Sequence, residues 1–163
     1  MKYIQKRQEP QAFADWKAQE NNNWQPTYKA LSGPPKAALK QALMAEQGEI
    51  CCYCERRLTW DDSHIEHFRP QHDDLVDPLD YGNLLCSCQN RIQKGEPRHC
   101  GNLKDKWFDD ALLISPLDPA CQARFRFSGD GEIKPLTDTD AVAETTIAKL
   151  GLDIPKLNAL RAP

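Results

Sequence analysis

The chain offers two sets of side chains that could do chemistry, one nested inside the other. The outer set is sulfur: Cys51-Cys52-Tyr53-Cys54 upstream, then Cys86-Ser87-Cys88 and His99-Cys100 downstream. The inner set is the stretch His64-Ile65-Glu66-His67-Phe68-Arg69-Pro70. Two thiolates spaced as Cys51 and Cys54 reach one ion from a single tight turn, as in a zinc knuckle. Cys88 and Cys100 complete a four-sulfur site, with Gln89 to His99 looping out between them. Cys86 competes with Cys88, because strand alternation puts both on one face. Buried, reduced thiols are the alternative reading of these cysteines. Two sulfur clusters flanking a polar, His-bearing segment favour a structural Zn²⁺. Cys52 and Cys121 have no evident ligand role and are expected in the core.

Glu66 and His67 suit metal-assisted hydrolysis of a phosphodiester. Such cleavage needs a base to deprotonate water and a cation to stabilise the departing oxygen. A neutral imidazole serves as the base near pH 7, and a carboxylate holds Mg²⁺ or Mn²⁺. Neighbours on a regular strand point to opposite faces, so both can address one phosphate only if the strand twists or ends there. Pro70 makes an ending plausible. His64 shares a strand face with Glu66, and His72 and His99 are candidates for auxiliary ligands; structural or solvent-facing roles are the commoner use of such histidines.

The elements that must position these groups fall into three stretches. Residues 1–50 read as helical. Phe13 and Trp16 mark a helix over Pro10 to Glu20, which Asn21-Asn22-Asn23 stops. Pro34-Pro35 opens a second helix with an apolar stripe of Leu39, Leu43 and Met44, and Gly48 ends it. Residues 51–110 are irregular and polar, with short strands expected around Ile65–Phe68 and Leu84–Cys86 and a short helix from Gly101 through Trp107. A bound metal would supply folding energy that this stretch cannot obtain by burial. In residues 111–163, Arg124–Phe127, the turn Gly129-Asp130-Gly131 and Glu132–Lys134 predict a β-hairpin. Asp138 to Leu150 reads as a helix stopped by Gly151, and Asp153-Ile154-Pro155 as the cap and first turn of another. That last helix is still running at Leu160, which leaves room for a missing C-terminal helical part. The fold class expected is α+β.

Composition narrows the function classes. Hydrophobic residues make up 40% of 163, enough for a modest core. No apolar run approaches a membrane span, and the N-terminus lacks a secretory signal, so a cytoplasmic location is the default. Seven cysteines without export point to metal rather than disulfides. A net charge of −3 argues against a stand-alone nucleic-acid binder. Yet Arg56, Arg57, Arg69, Arg91, Lys94, Arg98, Lys104 and Lys106 all fall in the site region, and a partner could supply further grip. Trp107 and Phe108 are expected in the core rather than as a base-stacking platform.

The order of parts resembles the HNH nuclease family: Cys-x-x-Cys, an acidic residue plus His, Asn-Leu-Leu, two further cysteines and a Lys. That resemblance implies a ββα-metal finger. It implies that Glu66 ligates the catalytic metal, that His67 is the general base and that Asn83 braces the loop between the strands. The family places a second metal ligand, His or Asn, at the start of the helix. Here that position is Gly101, which has no side chain; Asn102 is the first choice and Asn90 the second. Lys104 keeps the family's spacing and, with Arg69, is expected to contact phosphate. The stretches Cys-Cys-Tyr-Cys-Glu, Ile-Glu-His-Phe-Arg-Pro, Tyr-Gly-Asn-Leu-Leu-Cys-Ser-Cys, His-Cys-Gly-Asn, Ile-Ser-Pro-Leu-Asp-Pro and Leu-Gly-Leu look like the PtuB family of Septu anti-phage and related retron systems. This implies a defence nuclease acting on nucleic acid, DNA before RNA, with the ABC-type ATPase PtuA. The competing class is a zinc-stabilised binding module without catalysis.

Overall fold

The computed structural model describes all of residues 1–163. Two helices come first, α1 (Gln11–Lys17) and α2 (Gly33–Glu46). Pro10 is extended and hands over to α1, which buries Phe13 and stacks Trp16 against it. Pro34 and Pro35 sit in the first turn of α2, where a missing N–H costs no hydrogen bond. Its stripe of Leu39, Leu43 and Met44 is buried as the periodicity predicts, and Gly48 follows its end in the left-handed region.

The centre is an antiparallel pair, β1 (Ser63–His67) and β2 (Leu84–Cys88), followed by a one-turn helix α3 (Gly101–Lys104). The register sets Ser63 against Cys88, Ile65 against Cys86 and His67 against Leu84. All five residues of β2 are buried. A two-stranded sheet leaves edge groups that need partners. The buried Gln47 supplies them: its amide oxygen accepts from Cys86 N–H at 2.7 Å, and its amide nitrogen donates to the Cys86 carbonyl at 2.9 Å. The Cys52 N–H donates to the same carbonyl. Thus α2 and the cysteine knuckle lock β2 in register.

The expected helix from Gly101 to Trp107 is cut to four residues. Asp105 adopts a positive φ of 46°, and the Trp107 N–H turns back to the Lys104 carbonyl. A hairpin of β3 (Phe125–Phe127) and β4 (Ile133–Pro135) follows, then α4 (Ala141–Leu150) and α5 (Pro155–Arg161). Asp140 caps α4 by accepting from Ala143 N–H, and Gly151 ends it with φ 56°. Asp153, expected to cap α5, does not: its carboxylate instead accepts from the Asn158 amide and the Ile133 N–H.

All three stretches share one apolar core, from Phe13 and Leu43 through Leu84 and Cys88 to Leu150 and Leu157, with Cys52 and Cys121 inside it. Trp107 and Phe108 are half-buried against it. The end of α4 props the site directly, because the Leu150 carbonyl accepts the Cys100 N–H at 2.7 Å. No helix is long and apolar enough to cross a membrane.

Candidate metal centre and catalytic cleft

Four sulfurs converge at the junction of the knuckle, the end of β2 and the start of α3. The Sγ atoms of Cys51, Cys54, Cys88 and Cys100 lie within 4.8 Å of one another, and all four residues are buried. Cys54 and Cys88 are 3.7 Å apart at sulfur. A tetrahedral ion with Zn–S bonds of about 2.3 Å sets sulfurs about 3.8 Å apart, so the spacing fits zinc. No disulfide forms among the seven cysteines. The choice between Cys86 and Cys88 falls to Cys88. It ends β2 beside the knuckle, where its N–H donates to Cys51 Sγ at 3.4 Å. Cys86 lies two residues back, opposite Ile65 and tied at its backbone to Gln47.

The chemistry of the cluster suits a cation. Burial would push the Cys51 thiol up, but hydrogen bonds from Cys100, Cys52, Cys54 and Cys88 hold it well below its usual range. Burial and hydrogen bonds with Cys51, Cys54 and Cys88 push Cys100 well above. No Lys or Arg hydrogen-bonds to any of the four sulfurs; one divalent ion would stabilise all four as thiolates. His99, fully buried, sets Nδ1 3.2 Å from Cys100 Sγ and 3.8 Å from Cys88 Sγ. It stands behind the sulfurs, not in the cleft beyond them.

That cleft, about 470 Å³, is lined by His64, Glu66, His67, Gln71, His72, Arg98, Gly101, Asn102 and Lys106 among others. β1 ends at His67, and the cleft wraps this end, so the two neighbours both reach it despite strand alternation. Each keeps 7% exposure. The His67 ring is fixed on both sides. Its Nε2 lies 3.0 Å from the Pro78 carbonyl, which can only accept, so Nε2 carries the proton and Nδ1 is the basic nitrogen. The Gln71 amide nitrogen approaches Nδ1 at 3.5 Å. Tyr28 packs edge-on against the ring at 4.4 Å. Burial holds the imidazole below its ordinary value, against the opposing pull of the Pro78 bond and Glu66, which keeps it neutral at neutral pH.

Glu66 divides its two oxygens. Oε1 accepts from Tyr53 Oη at 3.0 Å and from Lys104 Nζ at 2.9 Å. Oε2 faces His64 Nε2 at 3.6 Å. Burial pushes the carboxyl up, but the His64 and Lys104 contacts outweigh it and leave it below its usual range. Glu66 is therefore a carboxylate with one oxygen anchored and the other presented. The Asn83 side chain accepts from Arg69 N–H at 2.8 Å and donates to the Arg69 carbonyl at 2.9 Å, clamping the chain as it leaves β1.

Three expectations need correction. Lys104 is not at the phosphate surface. Its residue is 2% exposed and its ammonium bridges Glu66 and the His67 carbonyl. Spacing placed it on the inner face of a short helix, which sequence alone could not orient. Arg69 is bound by the carboxylates of Asp73 and Asp110 and lies over the Phe108 ring, so it too is engaged elsewhere. The uncommitted cations at the cleft are Arg98 and Lys106, both exposed and in no ion pair. Asn90 is exposed, tied to the Asp61 carbonyl, and no part of the cleft wall. Asn102 does line it, with its amide nitrogen hydrogen-bonded to the Gln89 carbonyl. Tyr53, Tyr28, Gln71 and Pro78 escaped sequence reasoning; only Tyr53, between the knuckle cysteines, carried a positional hint.

No family model matches the chain. Two curated relatives do. The protein named as the HNH endonuclease of retron Vc95, from Vibrio cholerae serotype O1 biovar El Tor, is 32% identical over 133 residues. That alignment covers 77% of this chain, which spans 62% of the relative's length. The protein named as the HNH endonuclease of retron Ec83, from Escherichia coli, is 31% identical over 202 aligned positions, covering 99% of this chain and 78% of the relative. A zinc-spaced sulfur frame, an Asn-braced strand end and a Glu–His pair at one cleft thus accompany similarity along the chain's whole length, and the chain belongs to the HNH endonuclease family.

Proposed function

We propose that this chain is a metal-dependent endonuclease that hydrolyses phosphodiester bonds of nucleic acid, DNA before RNA. The observation that carries the reading is the state of His67. Its Nε2 proton is spent on Pro78, burial favours the neutral ring, and Nδ1, touched only by a long 3.5 Å contact from the Gln71 amide, is the basic nitrogen of a residue that lines the same cleft as Glu66. In the reaction His67 Nδ1 takes a proton from water as the water's oxygen attacks phosphorus. Lys104 and Tyr53 hold the Glu66 carboxylate in place. Asn83 fixes the backbone after His67. Arg98 and Lys106 attract the phosphate backbone to the cleft rim. A Mg²⁺ or Mn²⁺ ion bound at Glu66 would stabilise the charge on the departing oxygen. Zn²⁺ in the four-cysteine frame would be structural, because all four positions are filled by thiolates.

The finer identity we infer is a PtuB-type effector of anti-phage defence that works in the cytoplasm with the ATPase PtuA. The quoted motifs and the retron names of both relatives support it. A partner that binds nucleic acid also suits a chain of net charge −3. The test is a cleavage assay with Mg²⁺ or Mn²⁺, with and without the ATPase, on wild type and His67→Ala. Expected is cutting by wild type and at least a hundredfold loss in the variant, which stays folded and zinc-loaded; general-base removal typically costs about 10²–10⁴. Equal cutting by both proteins removes the assignment. No cutting by either, with tight nucleic-acid binding by both, makes the chain a binding module.

A further inference from the structure

A carboxylate alone is a weak grip on a divalent ion, and Gly101, the first residue of the helix, offers no side chain beside it. We propose that His64 is the second protein ligand of the ion held at Glu66, so that the metal site is built from one strand face. The inference rests on the nuclease reading of the cleft.

Three observations carry it. First, Glu66 has only one oxygen to give, since Oε1 is taken by Tyr53 and Lys104, and the free Oε2 points at His64. Second, the separation of His64 Nε2 and Glu66 Oε2, 3.6 Å, suits two donors on one ion. Bonds of about 2.1 Å put cis ligands about 3 Å apart and trans ligands about 4.2 Å apart. Third, the helix start has been cleared for this pair. A Cβ at Gly101 would lie 2.8 Å from His64 Nε2 and closer still to Glu66 Oε2, nearer than real Cβ atoms approach such groups. Glycine there admits the imidazole and the carboxylate together, and any larger residue would displace one of them. His64 keeps 24% side-chain exposure, so an ion can reach it from the cleft.

The donor set also predicts selectivity. A nitrogen ligand favours Mn²⁺ and later transition metals over Mg²⁺, which prefers oxygen. The simpler alternative is that His64 and Glu66 merely pair with each other.

The experiment reads metal binding without nucleic acid. Mn²⁺ is titrated into zinc-loaded wild type, His64→Ala, Asn102→Ala and Glu66→Gln, with the free ion followed by electron paramagnetic resonance and melting points checked. Ring proton signals of His64 are followed by NMR in wild type. Expected are broadening of the His64 ring by substoichiometric Mn²⁺ and an affinity at least about tenfold weaker in His64→Ala, with zinc content unchanged. Wild-type affinity in His64→Ala while Glu66→Gln loses binding overturns the ligand assignment and leaves the nuclease reading standing. So does a loss confined to Asn102→Ala. Mn²⁺ binding that ignores Glu66 overturns both. Tight binding through His64 and Glu66 by a protein that cuts nothing sustains this inference and sinks only the activity.

Discussion

Replacing Lys104 with Met separates the buried role seen in the structure from the phosphate contact its spacing suggested. Methionine fills much the same volume, so the cavity contribution is small and the change isolates the charge. Lys104 is 1% exposed at its side chain and Glu66 8%, and the ammonium reaches both Glu66 Oε1 and the His67 carbonyl at 2.9 Å. Breaking a buried ion pair from one side costs about 3–5 kcal/mol. For a chain of this size, with about 2–4 °C per kcal/mol, the melting point should fall by about 10 °C. The sign with pH follows from Glu66. Its folded carboxyl lies below the ordinary value of 4.5, so its contribution is present above that pH and is lost as pH falls through the folded value. In the Met variant the ammonium that helps hold the carboxyl down is gone, and burial is opposed by His64 alone. The deficit against wild type is therefore greatest near pH 7 and narrows below pH 4.5. Calorimetry of both zinc-loaded proteins at several pH values measures it, alongside nucleic-acid binding against salt. A variant that melts within about 2 °C of wild type at pH 7 and loses roughly one unit of salt slope would refute the reasoning, because that is how a surface phosphate contact behaves.

The sulfur frame makes a paired prediction: Cys88→Ser should lose tight zinc and unfold, since structural zinc contributes about 10–16 kcal/mol, whereas Cys86→Ser should retain one zinc per chain by elemental analysis. Zinc retained in Cys88→Ser and lost in Cys86→Ser would reverse the ligand choice. With His67 as the proposed general base, its burial sets the acid side of the expected rate profile. A general base must be neutral, neutrality is lost as pH falls through the folded value, and burial places that value under 6.5, so kcat/KM should decline only below pH 6.5. A decline beginning above pH 7 would contradict the environment described. Arg98→Ala with Lys106→Ala should weaken nucleic-acid binding alike across sequences and flatten its salt dependence by about one unit per residue, with no change in melting; an unchanged slope would place the phosphate track elsewhere.

Much of this was legible in the sequence because the signals were local. Two cysteines three residues apart, a Pro-Pro helix start, Gly151 after Leu150 and the Gly-Asp-Gly turn each fix structure within a few residues. The Asn83 clamp was legible only through family resemblance. What failed depended on orientation. Lys104 was known to lie near the site, but a helix of one turn has no periodicity from which to read its inner face. The choice of Cys88 over Cys86 turned on where β2 ends, and strand ends are set by partners such as Gln47, thirty-nine residues away in sequence. Tyr28 reaches His67 from the N-terminal segment, a tertiary contact with no sequence period. His64 was visible as a neighbour of Glu66 on one face. Its distance from Oε2 and the space left by Gly101 needed the packed strand and helix.

The bare backbone of Gly101 against β1 also constrains how such a site can change by mutation. A chain with an imidazole on the strand and one with a donor at the helix start compete for the same space, because the first Cβ added at position 101 forces the ends of His64 and Glu66 to move. Adding a helix donor by a single substitution would push the existing pair out of its present geometry. Dropping the imidazole first would leave Oε2 alone. Exchange between the two arrangements therefore needs coupled changes, each harmful without the other, and engineering a helix-borne donor here should begin with the pair and not with either position singly.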